Sequence, residues 1–133
     1  MILDTLEVAD NRAEGELFLN PELWIFECHY PESPMLPMSL LIESMTQVFI
    51  ATFLQKVENK DEIPVISSIG GGNKISMKEV VRPSDKLKLI ANLKSFRRGI
   101  AQGNCLAYKN DGDEPIMEFE IVEVLPSQMI RIR

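Results

Sequence analysis

Apolar residues recur along this chain in two rhythms, one at every second position and one near 3.6, and their alternation separates strands from a single helix. Ile2 to Val8 alternates imperfectly, Asp10-Asn11 interrupts, and Glu14 to Leu19 resumes an extended pattern, which predicts a hairpin. Asn20 to Pro37 holds Pro21, Pro31, Pro34 and Pro37, a density that predicts a rigid extended connection without regular helix.

From Met38 to Gln55, Leu41, Met45, Val48 and Thr52 recur at helical spacing, while Leu40, Ile42, Phe49, Ile50 and Phe53 make the other faces apolar. This predicts a helix enclosed on most sides, with Pro37 suited to its first turn because the missing N–H is not needed there. Lys56 to Glu62 is charged and leads out, and Val65, Ile66 and Ile69 begin an apolar stretch ending in Gly70-Gly71-Gly72. Leu87, Leu89, Ala91 and Leu93 alternate with Lys86, Lys88, Asn92 and Lys94, the signature of a strand with one wet face. Gly99 to Tyr108 and Pro115 to Val124 read as two further strands joined through the turn-forming Asn110-Asp111-Gly112-Asp113. The order β-β-α-β-β-β predicts an α+β fold in which a curved antiparallel sheet wraps one long central helix.

Composition narrows the picture. With 133 residues, 45% of them hydrophobic, residues 1–133 are expected to form one domain around one core. Twenty acidic against fourteen basic residues leave a net charge of −6, which argues against a nucleic-acid partner. The first dozen residues lack the basic-then-apolar-then-small succession of a leader, so a cytoplasmic location is expected. Met38 to Leu54 spans 17 residues and contains Glu43, too short and too costly for a membrane span. Cys28 and Cys105 have neither the number for a disulfide framework nor zinc-site spacing, so both are expected to pack as small apolar residues, with no metal.

The candidate chemistry sits at the start of the helix. The chain has one histidine, His29, and Glu43 follows it fourteen positions later among Leu40, Leu41, Ile42 and Met45. A carboxylate in that setting must be neutral, paired or facing a cavity. A narrow polar stripe of Ser39, Glu43, Thr46 and Gln47, with His29 in a surface loop, accounts for the same residues without any chemistry.

The segment HYPESPMLPMSLLIESMTQ carries more than composition. It resembles the pattern H-F-P-x-x-P-x-M-P-G-x-L-x-I-E-x-x-x-Q of the 3-hydroxyacyl-[acyl carrier protein] dehydratases of fatty-acid and polyketide synthesis. His29, Pro31, Pro34, Pro37, Leu40, Ile42, Glu43 and Gln47 fall in register without a gap. Downstream, Lys74, Val81, Pro83, Asp85, Leu87 and Arg97-Arg98-Gly99 match the family's second block, so the resemblance covers nearly the whole chain.

That resemblance implies a hot-dog fold and a dimer whose sheets join side by side, with His29 of one protomer meeting Glu43 of the other. The imidazole would remove the proton next to the thioester carbonyl, and the carboxyl group would assist departure of the 3-hydroxyl as water, without a cofactor. Free N–H groups of Met38 and Ser39 at the helix start would steady the developing oxyanion. Cys28, Pro34, Met35, Gln47, Gly71 and Gly72 would border the acyl tunnel, and Lys94, Arg97 and Arg98 would receive acyl carrier protein with its phosphopantetheine-linked chain. The assembly implied is a homodimer, three such dimers in a hexamer, or a pairing with a homologous second subunit. Glutamate at position 43, where dehydratase/isomerases carry aspartate, favours the dehydratase-only branch.

Departures from the pattern bear on the tunnel. Cys28 and Met38 stand where the family has glycine and would narrow it, Ser84 replaces a third glycine, and the fold is expected to lack the N-terminal segment that usually precedes the first strand. Two rivals follow: a hot-dog thioesterase using a carboxylate on the same helix to position water, and a non-catalytic member that pairs with an active homologue. Gly70-Gly71-Gly72-Asn73-Lys74 lacks P-loop spacing and is expected to act through its backbone. Lys94, Arg97 and Arg98 would equally suit a solvated turn, and Trp24 and Phe26 are expected in the core.

Overall fold

The computed structural model describes residues 3–28, 32–57, 63–70 and 75–126. Six strands form one antiparallel sheet: β1 Thr5–Ala9, β2 Arg12–Phe18, β3 Val65–Gly70, β4 Lys86–Arg97, β5 Ile100–Lys109 and β6 Met117–Val124, in the order β1-β2-β4-β5-β6-β3. A short helix α1, Ile25–Cys28, and the long helix α2, Met38–Phe53, lie between β2 and β3, and a 3-10 turn at Leu54–Lys56 ends α2. This is the expected arrangement of one long helix against an antiparallel sheet, and it makes α2 the crossover from β2 to the far edge, where β3 sits beside β6.

Strict alternation along the strands turns one side chain in two toward α2. β4 buries Leu87, Leu89, Ala91 and Leu93, and β6 buries Met117, Phe119 and Ile121. They meet Leu41, Met45, Val48, Phe49 and Phe53 of α2 in one core cluster. The inner face of β5 is made of small residues, Ala101, Gly103, Cys105 and Ala107, and that lets the helix settle close. A Cβ on Gly103 would collide with the Asn92 carbonyl oxygen and lie 2.6 Å from Phe49 Cε1, while one on Gly15 of β2 would lie 3.1 Å from Val48 Cγ2. Burial pushes the Cys105 thiol well above its ordinary range, and its Sγ lies 3.7 Å from the Met45 carbonyl oxygen, in keeping with the packing role expected of it.

Turn chemistry closes the hairpins. Arg98 and Gly99, both at positive φ, make the two-residue turn between β4 and β5, while Asn110 and Asp111, also at positive φ, begin the longer connection from β5 to β6. Asn11, at φ 61, turns β1 into β2.

Two expectations are corrected. The proline-rich segment is not free of helix, because Pro21 and Pro31 leave residues 22–30 unconstrained and Ile25–Cys28 takes one helical turn. That turn also separates Trp24 from Phe26. Two residues apart share a face in a strand but point roughly 200° apart on a helix, so Phe26 is buried while Trp24 is 69% exposed. As expected, α2 is enclosed on most sides, with Met38, Ser39, Glu43 and Gln47 left exposed. By length and composition Met38–Lys56 could cross a bilayer, yet its largest apolar residues pack against the sheet as in a core helix. Cys28 ends α1, but its side chain falls outside the described residues.

One inward position breaks the pattern. Glu123 follows Met117, Phe119 and Ile121 on the inner face of β6, is 1% exposed, and neither carboxylate oxygen has a hydrogen-bond partner. Burial without a partner favours the neutral acid and pushes its pKa up to about 7 from 4.5. Between those values the folded chain holds a proton that the unfolded chain has released, so stability falls as pH rises through that window and stays low above it. A shift of this size corresponds to about 3 kcal/mol. Glu123→Gln, which cannot ionise, should match the wild type near pH 4.5 and exceed it by up to about 3 kcal/mol at pH 8. Urea unfolding at the two pH values checks this; an equal gain at both would show that charge is not the cause.

Candidate active site

α2 begins abruptly. Pro37 holds the extended conformation at the N-cap, no side chain caps the helix, and no acidic residue stands in its first turn. Leu40 and Leu41 donate to the Pro37 carbonyl oxygen, so the amides of Met38 and Ser39 have no partner within the helix. These N–H groups point out of the positive end of the helix dipole.

On α2, Ser39, Glu43 and Gln47 follow one another at four-residue spacing and are all exposed in the single chain. The stripe is narrower than its sequence outline, because Thr46 is buried and donates its hydroxyl to the Glu43 carbonyl oxygen at 2.7 Å. Ser44 is likewise buried and donates to the Leu40 carbonyl oxygen at 3.0 Å. Glu43 itself is not enclosed by its apolar neighbours, since Leu41 and Met45 turn toward the sheet and leave the carboxylate on the uncovered side.

Pro34 and Met35, expected beside the tunnel, are half-buried in the segment that feeds α2. His29, Gly71, Gly72 and Lys74 lie outside the described residues. The described parts therefore place Met38, Ser39 and Glu43 in the first two turns of one helix and Gln47 a turn further along the same side, with Pro34 and Met35 leading into it.

A second loop supports that entry. Leu36, fully buried, donates its N–H to the Val81 carbonyl oxygen at 2.7 Å, and Arg82 Nη1 donates to Ser33 Oγ at 3.0 Å. Sequence reasoning gave Arg82 and Ser33 no role. The loop is itself fixed: Lys109 Nζ donates to the Val80 carbonyl oxygen at 3.1 Å and pairs with Glu79 at 3.4 Å. Asp85 accepts from the Arg82 N–H and from Asn110 Nδ2, each at 2.8 Å. Ser84, in place of the family glycine, holds φ 71 there and donates its N–H to the Leu19 carbonyl oxygen.

The basic residues gather elsewhere. Arg97 and Arg98 line an open cleft of about 380 Å³ with Ser95, Ile100 and Gln102 at the β4–β5 hairpin. Lys94 is paired with Glu120 at 3.6 Å across exposed surface. Phe96 stacks on Phe53 at 5.3 Å, which ties this hairpin to the C-terminal end of α2, about 15 Å of helix from Glu43. Within one chain the cationic patch and Glu43 thus belong to opposite ends of the helix.

The FabA-like domain model matches residues 3–119. The 3-hydroxyacyl-[acyl-carrier-protein] dehydratase FabZ of Clostridioides difficile (strain 630) is 31% identical over 100 residues, covering 75% of this chain and 67% of that protein. The protein of the same name from Bacillus pumilus (strain SAFR-032) is 33% identical over 103 residues, covering 77% and 69%. In other relatives of that name the aligned part spans from 57% to 78% of their length. Among solved structures, the dehydratase heterocomplex ApeI:P from Xenorhabdus doucetiae aligns with TM-score 0.70 at 12% identity, over 99% of this chain and 88% of that one. At that identity the likeness concerns the hot-dog fold.

The strained turn at Ser84 gives a direct measurement. A side chain at positive φ costs on the order of 1 kcal/mol, part of which glycine returns as lost chain entropy. Ser84→Gly should raise the unfolding free energy by up to about 1 kcal/mol, read from the urea midpoint.

Proposed function

The chain belongs to the FabA-like domain family, and on that premise we propose that it is a hydro-lyase acting on a (3R)-3-hydroxyacyl thioester carried by acyl carrier protein. It removes water to leave the trans-2-enoyl thioester, in fatty-acid or polyketide assembly, as a soluble cytoplasmic enzyme. The observation that carries this reading is Glu43, exposed with Ser39 and Gln47 on a helix whose other faces are buried, in register with the family's histidine motif.

In this mechanism the neutral His29 imidazole takes the proton from the carbon beside the thioester carbonyl. The electron pair moves into the new carbon–carbon double bond, the 3-hydroxyl departs with a proton from the Glu43 carboxyl, and transfer of a proton from imidazolium to carboxylate resets the pair. The amides of Met38 and Ser39 steady the negative charge on the thioester oxygen during the first step. No step calls on a cofactor. Cys28, Pro34, Met35, Gln47, Gly71 and Gly72 are the proposed border of the acyl tunnel.

The two groups come from different protomers. Support for a pairing comes from β3, the outermost strand beside β6, with Val65 and Ile66 exposed along it. An unpaired apolar edge is suited to antiparallel union with the same edge of a second copy. Such a two-fold union makes the two α2 helices antiparallel, so the hairpin bearing Lys94, Arg97 and Arg98 of one protomer flanks the helix start of the other. Carrier protein, which is acidic in this reading, then docks on one chain and delivers its arm to Glu43 of its neighbour. A heteromeric partner would dock by the same edge.

Incubation with 3-hydroxyacyl carrier protein, followed by mass spectrometry, should show loss of one water. His29→Ala and Glu43→Gln should each abolish this, by at least about 100-fold. Mixing the two inactive variants should restore roughly a quarter of wild-type activity, because half of randomly paired dimers then hold one intact site of two. Release of free acid instead would indicate the thioesterase, and wild-type turnover equal to that of His29→Ala would indicate a non-catalytic binder.

Charge reversal separates docking from chemistry. Arg97→Glu with Arg98→Glu should raise KM for the carrier-bound substrate by about tenfold or more while leaving turnover of a small soluble thioester unchanged.

A further inference from the structure

Residues 32–37, which lead into α2, are held to the body of the protein at two points, and they differ in kind. Leu36 is fixed by a backbone bond to Val81, with both residues fully buried. Ser33, three residues earlier, is fixed by the exposed guanidinium of Arg82. One attachment sets a position; a second, a few residues away, sets a direction.

The post that bears both contacts is rigid. Lys109, near the end of β5, grips the loop through the Val80 carbonyl and Glu79, and Asp85 ties the Arg82 backbone to Asn110. Lys86 and Asn110 close the same corner, since the Lys86 N–H donates to Asn110 Oδ1 at 2.8 Å. A long side chain mounted on such a base transmits its fixity to whatever it holds.

We infer that Arg82 is a positioning residue for His29: it fixes the chain at Ser33, four residues away in sequence. The inference rests on the dehydratase reading for its kinetic consequence, though the tether itself can be tested without turnover. An exposed hydrogen bond of this kind contributes little to global stability, and the fold keeps the Leu36–Val81 bond without it. General base catalysis, in contrast, is sensitive to displacements of an ångström or less.

The test uses Arg82→Ala, Ser33→Ala, the double variant and Arg82→Lys in the full chain. Each alanine variant should lower kcat by about tenfold with KM within about twofold, and the double variant should be no slower than either single. Arg82→Lys, which can still donate to Ser33, should recover part of the loss, and unfolding midpoints should stay together. Because the chain has a single histidine, the imidazole carbon-bound protons of His29 give unambiguous NMR signals, and these should shift alike in both alanine variants. Wild-type kcat in Arg82→Ala, losses that multiply in the double variant, or an effect confined to KM would overturn the proposal. If the wild type does not dehydrate, the functional reading fails on its own, and the spectrum still decides: unaltered His29 signals in both variants overturn the tether, and matched shifts sustain it.

Discussion

The fold depends on how closely α2 lies on the sheet. Val48 sits over Gly15 of β2 and Phe49 over Gly103 of β5, on either side of the intervening β4. With no side chain at these two positions, a helix carrying large residues can pack directly on the backbone and still fill its space. Everything near the candidate site inherits its place from this contact. The seated faces of α2 bury Leu41, Met45 and Phe53, and the remainder of its circumference is left for Ser39, Glu43 and Gln47.

Much of this was legible in the chain. Period-two alternation located β4, β5 and β6 to within two residues at their starts, and an unbroken apolar run located α2 within two residues at its end. What failed was reasoning that took one rhythm for another. Trp24 and Phe26 looked alike at strand spacing, but a single helical turn between two prolines sent them to different surroundings. The same difficulty applies to Glu43. Sequence neighbours at i−2 and i+2 are apolar, yet on a helix they lie on the far side, so apolar flanks said nothing about its burial. Its role came instead from the register of the motif around it.

Other features were outside the reach of pattern altogether. Arg82 and Ser33 are separated by 49 positions and meet because two loops pack together. Nothing in either local sequence signals the contact. Glu123 is the opposite case: alternation through Met117, Phe119 and Ile121 already assigns it to the inner face, so the conflict between its polarity and its position could have been found by counting. A buried acid without a partner breaks the consistency that the rest of β6 keeps.

Glu123 and Glu43 show how one fold can treat two glutamates in opposite ways. Glu123 shares a cross-strand row with Ala101 of β5, which in turn faces Phe96 of β4. Phe96 stacks on Phe53 near the C-terminal end of α2, which places Glu123 beside an apolar row. Glu43 stands in the second turn of α2, near its other end, and is exposed in the single chain. Desolvation favours the neutral acid at Glu123. In the proposed reaction, exclusion of water from Glu43 calls for a second surface over the exposed side of α2. A site completed by a neighbouring protomer, as proposed, would supply that surface.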